Sequence, residues 1–439
     1  MGNESVFASD FKEMPYWIDA AQAANPRPPS KPGTLPTKAD VVVVGGGLTG
    51  CAAAHELAKG GRDTLVLDAD EPTEGASSRN AGMLGWHSKH YFTELTEKVG
   101  VDEATRFFRE LRSIYDVTVK RIIDEKFDCD FRRNGRFLGA LSVRHHARMT
   151  REYEARARIL GEDVEFVPYS KQVEIGSKLY HGGVLVRDNA SIQPAKHVRA
   201  MCSRAEAAGA KVVGKARVTA IRRENDGFEV HTPRGMVKAR DIMIATNGYT
   251  TAITPWLVDR LVPINAYMVA TEPMSENLTS SVLPNHRMYS DNRRRSNYMQ
   301  LSPDRKRLLF GGQVGRRPIS LRDTAQRLHR DMVTLFPDLD GVKLSHVWTG
   351  RCAATWDYYP RVGVHDGMHY ALGYCFSGNA MGPYLGIKAA RSILGARDAE
   401  TFFSRAPFPY APRYARSERL MSILMSYYSW ADRPEAPAA

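Results

Sequence analysis

Val41-Val-Val-Val-Gly-Gly-Gly-Leu-Thr-Gly50 joins an apolar, β-branched run to three consecutive glycines. Asp40–Val44 reads as a short strand buried on both faces of a parallel sheet. Leu48–Lys59 (LTGCAAAHELAK) reads as a helix, which Gly60-Gly61 stops. Thr64–Leu67 is a second apolar strand and ends in Asp68. The whole is one βαβ unit of about 30 residues. Gly45, Gly47 and Gly50 stand at G-x-G-x-x-G spacing. The first permits a tight turn, the second lets a pyrophosphate approach the backbone, and the third lets helix and strand pack closely. Leu48 and Thr49 open the helix, whose N-terminus offers unpaired N–H groups and a positive dipole end to phosphates. Asp68, with Ala69 beside it, is placed to accept hydrogen bonds from ribose hydroxyls.

Glu74–Met83 (EGASSRNAGM) is a second loop of small residues soon after the second strand. Gly75, Ala76, Ser77, Ser78, Asn80, Gly82 and Met83 leave the backbone accessible to an extended cofactor. Arg79 can help neutralise a pyrophosphate.

The chain has 439 residues, 43% hydrophobic and 25% charged, an ordinary globular mixture. Wholesale disorder, collagen-like repeats and a disulfide scaffold are excluded. No stretch approaches the roughly 18 apolar residues that span a bilayer, and Met1–Asp10 carries no secretory signal pattern. The five cysteines are odd in number and lack C-x-x-C spacing, and the histidines lack a metal-site spacing. A cytoplasmic location is expected. The net charge of +12 is scattered, and its densest cluster, Arg293-Arg294-Arg295, is too short for a nucleic-acid arm. No nucleic-acid partner and no membrane span are expected.

The fold class read from this pattern is α/β. A discontinuous Rossmann-type nucleotide domain (36–90, 190–260 and 346–398) receives an inserted α+β substrate domain on a mixed, largely antiparallel sheet (91–189 and 261–345). A leader (1–35), proline-rich in its second half, precedes them, and Tyr16-Trp17-Ile18 can pin it to the body. A peripheral helix and tail (399–439) end the chain. Helices are expected at 103–126, 142–160, 194–208 and 383–394, the last with Pro383 at its start. Strands are expected at 211–213, 218–222, 228–232, 241–245, 298–301, 308–310 and 369–372.

With these segments in place, the sequence resembles the D-amino-acid oxidase superfamily of flavin-dependent amine and amino-acid oxidases. The branch of gamma-glutamylputrescine oxidase is the most similar. The resemblance rests on VVVVGGGLTG, GASSRNAGM, IQPAKHVRAM, RDIMIATNGYT, RLLFGG, WTGRCAATWDYYPRVG and GYCFSGNAMGPYLG, and spans nearly all of 36–398. It implies FAD as the cofactor: Gly45, Gly47 and Gly50 on its pyrophosphate, and Asp68 on the adenosine ribose. It also implies that Ser77, Ser78, Arg79, Asn80 and Met83 line the cofactor, with Val218 reaching adenine through its backbone. Gly378, Asn379, Ala380 and Met381 would lie at the flavin pyrimidine, where a helix N-terminus stabilises negative charge.

The sequence departs from that pattern in ways that bear on mechanism. Leu309 stands where sarcosine oxidase has a lysine beside the flavin, and Met381 where it has a lysine for the substrate carboxylate. Gln300 replaces an arginine common in related sequences and offers amide hydrogen bonds without charge. Cys352 matches the stretch that attaches flavin covalently in sarcosine oxidase; its other reading is a small buried thiol. Trp356, Tyr358 and Tyr359 can wall an aromatic pocket that suits an amine. His87 and Tyr249 are further catalytic candidates.

The expected activity is oxidation of an amine or N-substituted amino acid by hydride transfer to FAD. The imine product hydrolyses, and O2 or another electron acceptor reoxidises the cofactor. Four alternatives stay open: a flavoenzyme acting on a modified tRNA base, a dehydrogenase or subunit using another acceptor, a non-catalytic flavoprotein, and NAD binding alone.

Overall fold

The structure is a computed structural model that describes residues 5–29, 34–291, 293, 296–315 and 319–412. Two sheets organise it. The first is parallel through five strands, in the order Lys211–Val213, Thr64–Leu67, Lys38–Val44, Gly235–Ile244 and Met368–Leu372. An antiparallel ribbon, Ala220–Glu224 and Gly227–Thr232, extends it along the early half of Gly235–Ile244, and Arg361–His365 pairs the other way beside Met368–Leu372. Val41, Val42 and Val43 are fully buried. Each contributes roughly 1.5–3 kcal/mol by leaving water, which is why a continuous β-branched run sits at the sheet centre rather than at an edge.

The helix Leu48–Lys59 is wedged between Pro194–Ala207 and Gly378–Ile393. Small residues permit this: a Cβ at Gly386 would collide with the Thr49 carbonyl oxygen. The helix expected from Pro383 begins a turn earlier, at Gly378, with Pro383 inside it. Proline there forfeits only its own bond to the carbonyl four residues back, a loss that packing against Leu48–Lys59 offsets.

The second sheet has nine strands, in the order Phe7–Lys12, Leu344–Thr355, Leu261–Thr271, Leu308–Gly315, Tyr298–Leu301, Met288–Asp291, Arg136–Gly139, Gly183–Val186 and Val164–Val167. The leader therefore supplies an edge strand and a helix, Tyr16–Ala24, and Trp17 is buried. The domain boundary expected at 346 shifts. Leu344–Thr355 pairs with Leu261–Thr271 along its whole length, so the chain returns to the nucleotide sheet only at Arg361. A ladder of eleven pairs outweighs the local likeness that suggested the earlier boundary. Val218 lies just outside the ribbon, which starts at Ala220. Arg293 pairs with Asp291, while Arg294 and Arg295 fall outside the described residues. Of the C-terminal segment, the one-turn helix Phe402–Arg405 is described, and the tail beyond residue 412 is not.

Candidate active site

The glycine turn is held by its own sterics. Gly45 sits at φ +110°, a conformation that side chains rarely adopt, and a Cβ at Gly50 would strike the Gly45 carbonyl oxygen. Asp68 Oδ2 accepts the Gly46 amide at 2.7 Å and Oδ1 accepts the Asp70 amide at 3.0 Å, which fixes the carboxylate at the end of the second strand. Burial raises the Asp68 pKa. The Leu48 amide donates to Ser77 Oγ at 2.9 Å, and that hydroxyl stands where a Cβ on Gly47 would be. Thr49 and Gly50 lie in the first turn, where amides have no acceptor inside the helix. The Thr49 hydroxyl pairs with the Tyr374 hydroxyl at 2.9 Å. Val218 is buried beside Val44 and Leu67.

The second loop is stapled from three sides. Ser78 donates to the Thr73 carbonyl. Arg79 donates to the Glu74 carbonyl at 2.7 Å and the Thr349 carbonyl at 3.3 Å. Trp348 donates its indole N–H to the Arg79 carbonyl, and Trp17 donates to the Asn80 carbonyl, both at 2.9 Å. The Gln300 amide nitrogen donates to the Ala81 carbonyl. A side chain at Gly82, φ +69°, would strike the Ile192 carbonyl. Asn80 and Asn379 exchange two amide hydrogen bonds at 3.0 Å, and Asn379 also donates to the Met83 carbonyl. Gly75 approaches the Tyr249 ring, and Ala76 opens the short 3-10 turn Ala76–Ser78. Tyr249 thus lies on the nucleotide side of the loop, near Arg79 and Asp68. Ala69 follows Asp68 at the strand end.

The loop then runs under one face of the nine-stranded sheet. By register, Trp348, Gly350 and Cys352 share that face with Met268, and Tyr298 and Gln300 share it with Gly311 and Leu309. Leu309 is fully buried against Trp17 and Trp348. Cys352 is half-buried, and burial pushes its thiol pKa up. The helix Gly378–Ile393 starts at the loop's far end with no side-chain cap, and Ser377 donates its hydroxyl to the His87 carbonyl at 3.2 Å. Ala380 and Met381 are buried in its first turn. Phe376 precedes this start, and the Cys375 amide donates to the Ala353 carbonyl at 3.0 Å, just before the segment of Trp356 and Tyr358; the three rings are between 43% and 48% exposed. Lys89 Nζ sits 5.1 Å from the Phe376 ring centroid. Tyr358, Cys375 and Phe376 all have positive φ, at 59°, 39° and 72°. Such strain is characteristic of functional loops. Tyr359 turns away and stacks on His90 at 4.4 Å. His87 is half-buried with its Nε2 enclosed, and desolvation, followed by the nearby Arg136 and Arg156, lowers its pKa well below the ordinary value against a hydrogen bond with Asn189.

The structure therefore brings Gln300, Cys352, His87, Trp356 and Tyr358 around the two loops, and places Tyr249 at the nucleotide end. Sequence reasoning missed Trp348, Tyr374 and Ser377. All three lie within the resembling segments, but only the contacts reveal what they hold.

The residues fit FAD. Two uncapped helix starts adjoin the loops, the glycine turn admits no side chain at Gly45 or Gly50, and a fixed carboxylate stands at the end of the second strand. Fold and site define an oxidoreductase of the dinucleotide-binding class. A family model described as FAD dependent oxidoreductase matches residues 40–392, and the chain belongs to that family.

Among curated relatives, the chain is 28% identical over 425 residues to a probable oxidoreductase OrdL of Rhizobium meliloti, covering 95% of this chain and 97% of that one. It is 29% identical over 400 residues to the gamma-glutamylputrescine oxidoreductase of Escherichia coli, covering 90% and 93%. In fold it matches the crystal structure of glycine oxidase from Geobacillus kaustophilus with a TM-score of 0.69 at 21% identity, covering 86% of this chain and 99% of that one. No helix among the described residues is long and apolar enough to cross a membrane.

Proposed function

We propose that the protein oxidises a small amine or N-substituted amino acid and passes the electrons to O2. Gamma-glutamylputrescine oxidoreductase and glycine oxidase, relatives named for amine and amino-acid substrates, support this class. The carrying observation is local. Phe376 precedes the uncapped start of the Gly378–Ile393 helix, and the Cys375 amide donates to the Ala353 carbonyl at 3.0 Å, which ties that start to the strand that carries Cys352 and runs on to the half-exposed Trp356 and Tyr358.

Bound FAD supplies a two-electron acceptor for hydride from the carbon bearing nitrogen, and water hydrolyses the imine that results. The chain's own part is to position and to exclude water. The rings of Trp356, Tyr358 and Phe376 offer π faces to an amine. The Gly378–Ile393 helix start presents amides and a positive dipole end to negative charge. Desolvation keeps His87, whose carbonyl accepts the Ser377 hydroxyl at the helix start, from adding a positive charge there. Gln300 and Trp348 act by holding Ala81 and Arg79, which sets the loop against the sheet.

The test is anaerobic mixing of the holoprotein with a panel of amines while following the flavin's visible absorbance. Bleaching by primary or secondary amines is expected, with rapid recovery when oxygen is readmitted. A flavin that no amine bleaches overturns the reading. Slow recovery with oxygen and fast recovery with a dye acceptor replaces O2 by another acceptor.

A further inference from the structure

Two thiols meet directly behind the glycine turn. Cys51 follows Gly50 in the first turn of Leu48–Lys59, and Cys202 lies on Pro194–Ala207, the helix packed beside it. Both are fully buried, and their side chains hydrogen-bond each other. The Cys51 thiol also donates to the Gly46 carbonyl at 3.4 Å. Asp68 is near enough for its charge to act on Cys51.

The two sulfurs are unlike. Arg27, from the leader, places a terminal guanidinium nitrogen 3.4 Å from Cys202 Sγ, and the same nitrogen donates to Glu206 Oε1 at 2.9 Å. The hydrogen bond from Cys51, with help from Arg27, pulls the Cys202 pKa down against burial and Glu206. That same bond, followed by burial, pushes the Cys51 pKa up. The other three thiols, Cys129, Cys352 and Cys375, are all raised, by burial first. A sulfur that favours the thiolate beside a guanidinium, with a protonated thiol in contact, has the parts of an attacking and a resolving cysteine.

The cover over Cys202 is thin. The segment that carries Arg27 is fastened to the same helix by surface contacts. Arg199 donates to Gln22 Oε1 at 2.9 Å and to the Asn25 carbonyl at 3.3 Å, and Gln22 donates to the Arg27 carbonyl at 3.1 Å. Exposed polar contacts contribute little to stability. Local opening wide enough for a molecule as small as hydrogen peroxide is therefore inexpensive.

We propose that Cys202 and Cys51 are a peroxide-reactive pair that closes to a disulfide and thereby loosens the FAD site. The Cys202 thiolate attacks one peroxide oxygen, the O–O bond breaks, and Cys202 becomes a sulfenic acid. The hydroxide that leaves takes up the proton Cys202 had released. The Cys51 sulfur then attacks the Cys202 sulfur, the S–O bond breaks, and the departing oxygen leaves as water with the Cys51 proton. The two thiols lose two electrons, and peroxide gains two and ends as two waters. Peroxide is what O2 becomes on taking two electrons and two protons from a reduced flavin, so the source of the oxidant rests on the O2-using reading above. The turn has no slack for the closure: a Cβ at Gly50 would lie 1.9 Å from the Gly45 carbonyl oxygen. A close-packed interior passes a displacement on, so drawing Cys51 onto Cys202 shifts the first turn that follows the glycines.

The test treats the holoprotein with hydrogen peroxide, quenches it with catalase, alkylates the remaining thiols and maps the peptides by mass. A Cys51–Cys202 cross-link that dithiothreitol removes is expected, with Cys129 recovered as the free thiol. Flavin fluorescence on serial dilution of the same samples reads FAD affinity. It falls by about 10-fold or more on oxidation and returns with dithiothreitol. Cys202→Ser forms no cross-link and holds FAD equally before and after peroxide. Absence of the cross-link from wild type overturns the proposal, and that measurement needs no variant to fold. A cross-link with unchanged FAD affinity, or an equal loss of FAD from Cys202→Ser, overturns it as well. If turnover with an amine releases no peroxide, the O2-using reading fails, while added peroxide still judges the pair.

Discussion

Asn80 and Asn379, 299 residues apart, face each other with their amides head to tail, each donating to the other's oxygen at 3.0 Å. Asn80 also donates to the Ser77 carbonyl at 2.8 Å and accepts the Gly82 amide at 2.8 Å, while Asn379 donates to the Met83 carbonyl at 3.0 Å. The pair ties the cofactor loop to the first turn of the Gly378–Ile393 helix. It fixes the relative position of the two helix starts that FAD needs.

Replacing Asn379 by Ala removes three hydrogen bonds and leaves the Asn80 amide short of a partner. At roughly 1 kcal/mol for each net bond, with an added cost for the group left unsatisfied, the cofactor site loosens by about 2–3 kcal/mol. The expected result is a weakening of FAD binding by 30-fold or more (about 1.4 kcal/mol per decade), measured by titrating apoprotein and following flavin fluorescence. Asn379→Asp tests the geometry separately: it keeps the acceptor, loses the donor, and is expected to fall between. Unchanged affinity in both variants refutes the latch.

Asp68 offers a second handle on the cofactor. Its carboxylate orients the Gly46 and Asp70 amides and keeps lone pairs for ribose hydroxyls. Hydrogen bonds to a charged group contribute about 1.5–3 kcal/mol each. Asp68→Asn, which preserves shape and removes the charge, is expected to weaken FAD binding by about 10- to 100-fold while the fold persists. Retention of wild-type affinity counts against a ribose contact.

Much of this arrangement is legible in the sequence because it is local. The glycine spacing, the strand Thr64–Leu67 and the helix Leu48–Lys59 follow from periodicity and chain sterics, and the structure places both elements at the expected residues. What is not legible depends on long-range pairing. Leu344–Thr355 carries motifs that look like part of the nucleotide domain, yet a ladder of eleven pairs binds it to the other sheet. Phe7–Lys12 becomes an edge strand only because Leu344–Thr355 offers it a neighbour.

Stability should depend on pH through His197. This histidine is fully buried on the Pro194–Ala207 helix, with neither ring nitrogen hydrogen-bonded, and burial, aided by Arg121, lowers its pKa to about 4. The folded pKa lies below the ordinary value near 6.5, so the unfolded chain takes up the proton first. The contribution of neutral His197 is thus fully present above about 6.5 and is lost as pH falls toward 4, at about 1.4 kcal/mol per pH unit for one proton. His87 is depressed for the same reason and adds to the slope. Urea unfolding at pH 7, 5.5 and 4.5 measures the loss. His197→Gln should flatten the profile relative to wild type; an unaltered slope places the proton elsewhere.

The last prediction concerns how the flavin is held. Cys352 lies on the sheet face over the cofactor loop, two residues from Gly350, where a Cβ would come within 3.1 Å of the Arg79 side chain. Its neighbours include Cys375, which raises its pKa further, and Lys89, which lowers it; burial dominates, so the thiol stays protonated at neutral pH. A protonated thiol is a poor nucleophile and does not readily join a flavin carbon. FAD is therefore expected to bind without a covalent bond. Acid precipitation should release yellow supernatant and colourless protein, and Cys352→Ser should keep its full complement of flavin. A yellow pellet from wild type that turns colourless in Cys352→Ser would show that bound cofactor activates this thiol against its surroundings.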